Sequence, residues 1–355
     1  MRVCYDYQIL AAQKYGGISR YFYEIASRIM NFAEVKISCL FSRNYYFRDI
    51  LPIYAPKNFM SSFIERKLSG TLNRLHSLHV MKGCDILHPT YYKPYMLGHF
   101  SGKIILTVHD LINEIYSVNP EETDNKRKML RAAAHVIAIS ENTKRDILRI
   151  FPDISPEKIS VIYHGSSMQA PTSAGKNILG NPYVLFVGAR GSYKNFARFV
   201  VAMRPILERH RDLRVLCAGG GEFSAYEFAL MGEMSSRYVQ KNMNDDELAQ
   251  AYANAECFVF PSEYEGFGIP VLESFACECP LVCSNASSLP EVGGEAAEYF
   301  DPFNVEEMSA KILRVIEDFS LRESMRVAGR ERLKLFSWDD TAQGTLECYR
   351  QAMSS

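Results

Sequence analysis

Two stretches of this 355-residue chain set charged side chains among glycines in a way that suits a phosphorylated ligand. In Val187-Gly188-Ala189-Arg190-Gly191-Ser192-Tyr193-Lys194-Asn195, Arg190 and Lys194 share a short loop that follows an apolar run. Arginine offers a planar fork of donors and lysine a point charge, so the two together can neutralise a diphosphate. In Pro261-Ser262-Glu263-Tyr264-Glu265-Gly266-Phe267-Gly268-Ile269-Pro270-Val271-Leu272-Glu273, seven residues separate Glu265 from Glu273. Glu265 lies on a glycine-rich loop and Glu273 about one turn inside the helix expected after it. Amides around Gly266, Phe267, Gly268 and Ile269 can bind phosphate or sugar oxygens. Carboxylates there accept hydrogen bonds from the hydroxyls of a ribose or hexose. The plainer alternative is an acidic helix start satisfied by the macrodipole; the dense Gly/Pro pattern argues against it.

Two further groups could contribute. Gly16-Gly17-Ile18-Ser19-Arg20 follows the first apolar run and opens a helix, where paired glycines allow close backbone approach and the helix start favours an anion. In Thr107-Val108-His109-Asp110-Leu111, His109 ends an apolar run, a position suited to a ligand contact. His88 and His164 end similar runs, so the choice among the three stays open. Other chemistries lack their residues. There is no GxxxxGK[ST] phosphate loop and no Asp-x-Asp pair to seat a divalent metal on a nucleotide sugar. Cys277-Glu278-Cys279 lacks zinc-ligand spacing, Gly17-Ile18-Ser19-Arg20-Tyr21 lacks the last glycine of a nucleophile elbow, and Gly219-Gly220-Gly221 misses the dinucleotide spacing.

Short apolar runs alternate with helical patterns from end to end, which predicts parallel α/β architecture. Strands are expected at Val3–Tyr5, Val35–Phe41, Asp85–His88, Ile104–Val108, Val136–Ile139 and Ile159–Tyr163. After a Ser/Gly/Pro-rich stretch they resume at Tyr183–Val187, Leu213–Ala218, Cys257–Pro261 and Leu281–Cys283. Helices are expected from Gly17, after Ser140, and over Asn195–Arg209, Asp245–Asn254 and Ile269–Cys277. The organisation read from this is a first doubly wound domain at 1–165, a linker at 166–182, a second doubly wound domain at 183–335, and a closing segment at 336–355. Such domains bind ligands at the carboxyl ends of their strands.

Hydrophobic residues at 47% and charged residues at 23% exclude a disordered, collagen-like or coiled-coil chain. No apolar run is long enough for a membrane span, and MRVCYDYQIL lacks the basic and apolar regions of a signal peptide. Nine cysteines without a paired framework suggest reduced thiols, and a cytoplasmic protein is expected. The net charge of −1 conceals an imbalance: residues 1–168 carry 22 Lys+Arg against 15 Asp+Glu, and the rest 18 against 26. Residues 57–82 carry five Lys/Arg and one Glu with interspersed Phe, Ile and Leu, a basic amphipathic helix broken or bent at Gly70. It reads either as a contact with anionic lipid or as a surface helix.

These residues resemble the retaining glycosyltransferases of family four, whose fold is GT-B. The segments that carry the resemblance are GGISRYFYEI, TVHDLI, VIAISENTKRDI, VIYHGS, VGARGSYKN, FVFPSEYEGFGIPVLE and SSLPEVGGEAAEYFDP, in the family's order along nearly the whole chain. The resemblance implies two Rossmann-like domains facing each other across a cleft, and transfer of a sugar from a nucleotide-diphosphate donor with retention and without a bound metal or other cofactor. It implies that Arg190 and Lys194 neutralise the diphosphate, with Arg190 standing in for the arginine that many relatives carry where Tyr193 stands here. Glu273 would take the ribose hydroxyls, and Glu265 with Gly266, Phe267, Gly268 and Ile269 the donor sugar and phosphate. Gly16 and Gly17 would approach the diphosphate, His109 the transferred sugar, Gly188 and Val239 the nucleotide, and Arg20 the acceptor. The segment Phe336–Met353 would return to the first domain. Mannose from GDP-mannose is the expected donor, ahead of rhamnose, glucose or galactose donors. The expected acceptor is a saccharide on a lipid-diphosphate carrier at the inner membrane face, in surface polysaccharide assembly; no nucleic acid partner is expected. The competing readings are a non-catalytic sugar-nucleotide-binding module and an epimerase or phosphorylase of the same shape.

Overall fold

The computed structural model describes residues 1–48, 50, 63–171 and 177–354, with residues 63–67 described by their backbone. The chain divides into two compact units, Met1–His164 with Trp338–Ser355, and Gly165–Ser337. Each holds a six-stranded sheet among the described residues.

In the first unit β1 (Arg2–Asp6), β2 (Glu34–Ser38), β3 (Ile86–His88), β4 (Lys103–Val108), β5 (His135–Ala138) and β6 (Ile159–Val161) run in the order β2-β1-β3-β4-β5-β6. Every pairing is parallel. Parallel neighbours need crossovers, and helices Gly17–Ile29, Pro120–Ala132 and Glu141–Ile150 supply several of them. Side chains start two of these helices: Asn119 accepts from the Glu121 N–H ahead of Pro120, and Ser140 accepts from the Thr143 N–H. Helix Trp338–Ser354 completes the unit, its Tyr349 hydroxyl 2.9 Å from that of Tyr5 on β1.

The second unit has β7 (Tyr183–Val187), β8 (Arg214–Ala218), β9 (Tyr238–Lys241), β10 (Cys257–Phe260), β11 (Leu281–Ser284) and β12 (Ala297–Phe300), in the order β12-β11-β10-β7-β8-β9. All pairings are again parallel. Its core packs Phe186, Phe196, Phe199, Met203 and Ile206 against Val215, Val259, Met308 and Ile312. Capping boxes start two crossover helices, Ser224 with Glu227 and Asn244 with Glu247.

The structure departs from the pattern in three places. β9 and β12 were not expected; both are edge strands, only partly buried, so they lack the apolar run that betrays an inner strand. Helix Phe63–Val80 passes through Gly70 without a break, because one glycine costs a helix only about 1 kcal/mol. Its outward face is also unusual: Leu68, Leu72 and Leu75 are exposed, while Ser69, Asn73 and Ser77 are buried. Lys57 and residues 58–62 of the basic stretch lie outside the described residues, as do the side chains of Arg66 and Lys67. All nine cysteines are buried free thiols. No helix among the described residues is long and apolar enough to cross a membrane.

Candidate functional site

The second unit builds its site where the strand order reverses, between β7 and β10. Loop 188–195 leaves the carboxyl end of β7 and loop 261–268 that of β10, so the two candidate loops lie side by side. Hydrogen bonds lock them together. The Glu263 N–H donates to the Tyr193 carbonyl at 2.7 Å. Asn195, held in left-handed backbone (φ 59°), donates from Nδ2 to the Pro261 carbonyl at 3.0 Å and the Pro302 carbonyl at 2.7 Å. Lys194 Nζ donates to Glu265 Oε1 at 2.6 Å, and both side chains are largely buried. The aromatic faces of Tyr193 and Phe260 lie 5.2 and 5.5 Å from the Lys194 ammonium.

Glu265 is fixed through its backbone by two residues that carried no role in the sequence reading. Its N–H donates to Ser287 Oγ at 2.8 Å, and Ser288 Oγ donates to its carbonyl at 2.9 Å. Their signal is the SSLPEVGG segment, which carries the resemblance but implies no role for either serine. Gly268 has φ 94° and opens helix Ile269–Ala276 with no side-chain cap; a Cβ there would come 2.7 Å from Leu289 Cδ2, so glycine is required. Glu273, buried in that helix, accepts from the Tyr252 hydroxyl at 3.3 Å. Gly188 also has positive φ, 106°, at the end of β7. Val239 sits partly buried in the outermost strand β9, two strands from β7, and is not brought to this cluster.

Arg190 is held by groups of the protein itself. Its guanidinium turns into the unit, with 3% of the side chain exposed, and pairs with Glu227 at 2.5 Å. It also donates to the carbonyls of Gly219, Gly220, Gly221 and Glu222, at 3.0, 3.4, 2.9 and 2.9 Å. Those three glycines all have positive φ (83°, 74° and 75°), which turns their carbonyls toward the guanidinium. A Cβ on Gly220 would come 2.6 Å from Arg190 Nη1. Arg190 thus organises the loop after β8, and Lys194 alone of the two cations stands with Glu265. A concavity of about 580 Å³ adjoins this arrangement, lined by Arg190, Asn195, Arg198, Gly220, Tyr226 and Glu227 among others.

In the first unit, Gly16 precedes helix Gly17–Ile29 and its carbonyl accepts from Ser19 Oγ at 3.0 Å. A Cβ at Gly16 would come 2.4 Å from the amide oxygen of Gln13, which accepts from the Ser19 N–H. Gly17 is exposed at the helix start, and Arg20 lies 5.2 Å over the Tyr46 ring. The three strand-end histidines are gathered in one cluster. His109 stacks on His164 with ring centroids 6.2 Å apart, and Tyr21 meets both edge-on. His88 bridges Tyr349 (2.7 Å) and Thr107 (2.8 Å), and Thr107 in turn meets the Tyr21 hydroxyl at 2.9 Å. Burial pushes His88 and His164 down to about 3. Burial, then the neighbouring His164, His88 and Lys126, hold His109 well below the usual imidazole range. These rings are neutral at pH 7. His109 Nε2 is buried without a hydrogen-bond partner, while its backbone N–H donates to the Tyr92 hydroxyl at 3.1 Å. His109 therefore keeps a ring nitrogen to offer a ligand hydroxyl, whereas both ring nitrogens of His88 are engaged by Tyr349 and Thr107. Among the described residues no group of three His, Cys, Asp or Glu is placed to hold a metal ion.

The Glycosyltransferase Family 4 profile matches residues 15–168, and the profile of Glycosyl transferases group 1 matches residues 172–332. The chain is 26% identical to O-antigen chain mannosyltransferase B of Escherichia coli, over 94% of this chain and 96% of that protein. Sucrose-phosphate synthase from Thermosynechococcus elongatus superposes with a TM-score of 0.77 at 20% identity, covering 99% of this chain and 98% of that one. Anabaena HepE, solved in complex with UDP and glucose, superposes with a TM-score of 0.76 at 17% identity, covering 98% of each chain. With one family profile over each of its two parallel sheets, and both profiles glycosyltransferase profiles, the chain is a GT-B glycosyltransferase of family 4 type.

Proposed function

We propose that this glycosyltransferase moves mannose from GDP-mannose to a saccharide acceptor, with retention and without a metal. The acceptor in this reading is carried on a lipid diphosphate, and the product enters a bacterial surface polysaccharide such as O antigen, capsule or exopolysaccharide. The observation that supports it most is the near full-length similarity to an O-antigen chain mannosyltransferase.

In this reading the donor diphosphate displaces Glu265 from Lys194, and the start of helix Ile269–Ala276 faces the same charge. Glu265 is then released to accept from donor-sugar hydroxyls, while Glu273 accepts from the ribose. His109, kept neutral by burial, meets a hydroxyl of the transferred sugar through Nε2. Breaking the anomeric C–O bond leaves its electron pair on the diphosphate. That oxygen takes the proton of the attacking acceptor hydroxyl, which bonds to the anomeric carbon on the same face. Lys194 and the helix amides meet the growing negative charge more strongly than the ground state, which lowers the barrier. Arg190 acts through the loop after β8 as a positioning residue. A peripheral membrane location is supported by the leucine ridge of helix Phe63–Val80, flanked by exposed Arg74 and Lys82.

The deciding experiment is a thermal-shift panel of GDP, UDP, dTDP and ADP, followed by NMR of the product's anomeric configuration. GDP should raise the melting temperature most, because a ligand that binds the native state stabilises it. A UDP-only response, in keeping with the UDP held by HepE, would replace the donor assignment, and an inverted product would remove the retaining mechanism.

A further inference from the structure

We infer that the tyrosine cluster beside Gly16 is a saccharide-binding platform for the acceptor, an inference that rests on the glycosyl-transfer reading above. Tyr15 and Tyr45 are 56% and 40% exposed, with ring centroids 5.2 Å apart and planes tilted by 35°. Tyr46 continues the surface, 6.1 Å from Tyr45 at 82°, and Tyr23 lies 6.3 Å beyond Tyr46. Cations accompany the rings: Arg48 is 4.2 Å over Tyr45, Lys14 5.2 Å over Tyr15 and Arg20 5.2 Å over Tyr46.

Single exposed aromatics are ordinary on a protein surface, but these are held in place. The Tyr45 N–H donates to the Lys14 carbonyl at 3.0 Å, and Asn44 Nδ2 to the Gln13 carbonyl at 2.9 Å. Ser42 Oγ donates to the Leu10 carbonyl at 2.8 Å, and Asn44 Oδ1 accepts from the Tyr46 N–H at 3.1 Å. Asn44 and Ser42 are fully buried, so polar side chains point inward and phenol rings outward. Burial of apolar surface alone would favour the opposite arrangement.

The chemistry of the surface selects its ligand. A pyranose presents an axial C–H face, which stacks on an aromatic ring, and a rim of hydroxyls, which accept from arginine and lysine. Rings tilted by 35° and 82° make a stepped surface that suits successive puckered sugars better than a flat nucleobase. Prior fixing of the rings reduces the ordering cost of binding. Tyr15 immediately precedes the Gly16-Gly17 turn, which the family resemblance implies for the donor diphosphate.

The test compares the wild type with Tyr15→Ala/Tyr45→Ala and Tyr15→Phe/Tyr45→Phe on a glycan array. It then measures the acceptor KM for the glycans retained, together with GDP binding and acceptor-free donor hydrolysis. The alanine pair should weaken glycan capture and raise the acceptor KM by about tenfold, the upper range for an aromatic contact. GDP binding and donor hydrolysis should be unchanged in the alanine pair, and the phenylalanine pair should match the wild type throughout. No glycan retained by the wild type, equal capture by the alanine pair, or equal loss in both pairs would overturn the platform. Conversion of a dimer to a monomer by the alanine pair, seen by light scattering, would also overturn it, by making the patch a self-association face. Tyrosine-dependent glycan capture without turnover of any nucleotide sugar would remove the reaction proposed above and leave the platform standing.

Discussion

Acidification from pH 7 to 5.5 should destabilise the first unit selectively. His88 and His164 are pushed down to about 3 by burial, and His109 is held well below its ordinary value. In the unfolded chain all three titrate near 6.5. Between those limits the unfolded state binds protons that the native state refuses, so stability is full above pH 6.5 and is lost as pH falls toward 3. His88 and His164 then each cost about 1.3 kcal/mol between pH 7 and 5.5, together about 2.5 kcal/mol, and His109 acts in the same direction. That is an appreciable part of an ordinary domain's stability of about 5–15 kcal/mol. Buried Asp6, whose pKa is raised mainly by burial, opposes the trend, since the native state keeps its proton longer than the unfolded one. The assay is urea unfolding at several pH values, following each unit's transition with its own probe. The second unit is an internal control, because His210 is the single histidine within Gly165–Ser337. His88→Gln should lower the proton uptake of the first transition by about one. A first transition indifferent to pH over this range, or an equal shift in both, would refute the reasoning.

The remaining predictions concern the site and the surface. Lys194→Ala should cut turnover by at least about 100-fold while both unfolding transitions stay near wild type, as loss of a transition-state cation does; near-normal turnover would dismiss Lys194 as the diphosphate partner. Arg190→Ala should instead lower the second unit's stability by about 3–5 kcal/mol, because Glu227 and four carbonyls lose a buried donor, and calorimetry reads this directly. Transfer should persist in excess EDTA; loss restored by manganese or magnesium would show that a metal carries the charge. Replacing Leu68, Leu72 and Leu75 with serine should reduce co-sedimentation with anionic vesicles and leave hydrolysis of a free donor intact, and unchanged sedimentation would make the ridge irrelevant to lipid.

The inner strands were legible because each is an unbroken apolar run: Tyr183–Val187 matches to the residue, and Leu281–Ser284 within one. The second unit's edge strands, Tyr238–Lys241 and Ala297–Phe300, were not, since polar residues interrupt their partly buried runs, whereas the first unit's edge strands, Glu34–Ser38 and Ile159–Val161, keep enough apolar residues to be read. The pairing of Lys194 with Glu265 was within reach of the sequence, as their loops follow the two strands between which the order reverses. The fate of Arg190 was not. Whether an arginine faces a ligand or its own protein depends on the carbonyls around it, and here three left-handed glycines some thirty residues later present theirs. Helix Phe63–Val80 shows a related limit. Its leucine spacing signals an amphipathic helix, but its inward face is decided by hydrogen bonds that Asn73 Oδ1 accepts from the Leu40 and Phe41 N–H groups and by the bond between the Ser77 and Ser38 hydroxyls.

The return of helix Trp338–Ser354 to the first unit sets an order on how the molecule can be made. The Tyr5–Tyr349 bond spans 344 positions, and His88 completes its hydrogen bonding only when Tyr349 arrives. At about 5–20 residues per second, the ribosome needs roughly half a minute to deliver that tyrosine after β1. The second unit, continuous from Gly165 to Ser337, has all its strands beforehand. It can close first, while the older half of the chain waits with Tyr5, Phe22 and Ile25 uncovered. The amino-terminal unit is thus the one completed last, its Tyr5, Phe22 and Ile25 face covered only once the closing helix is made.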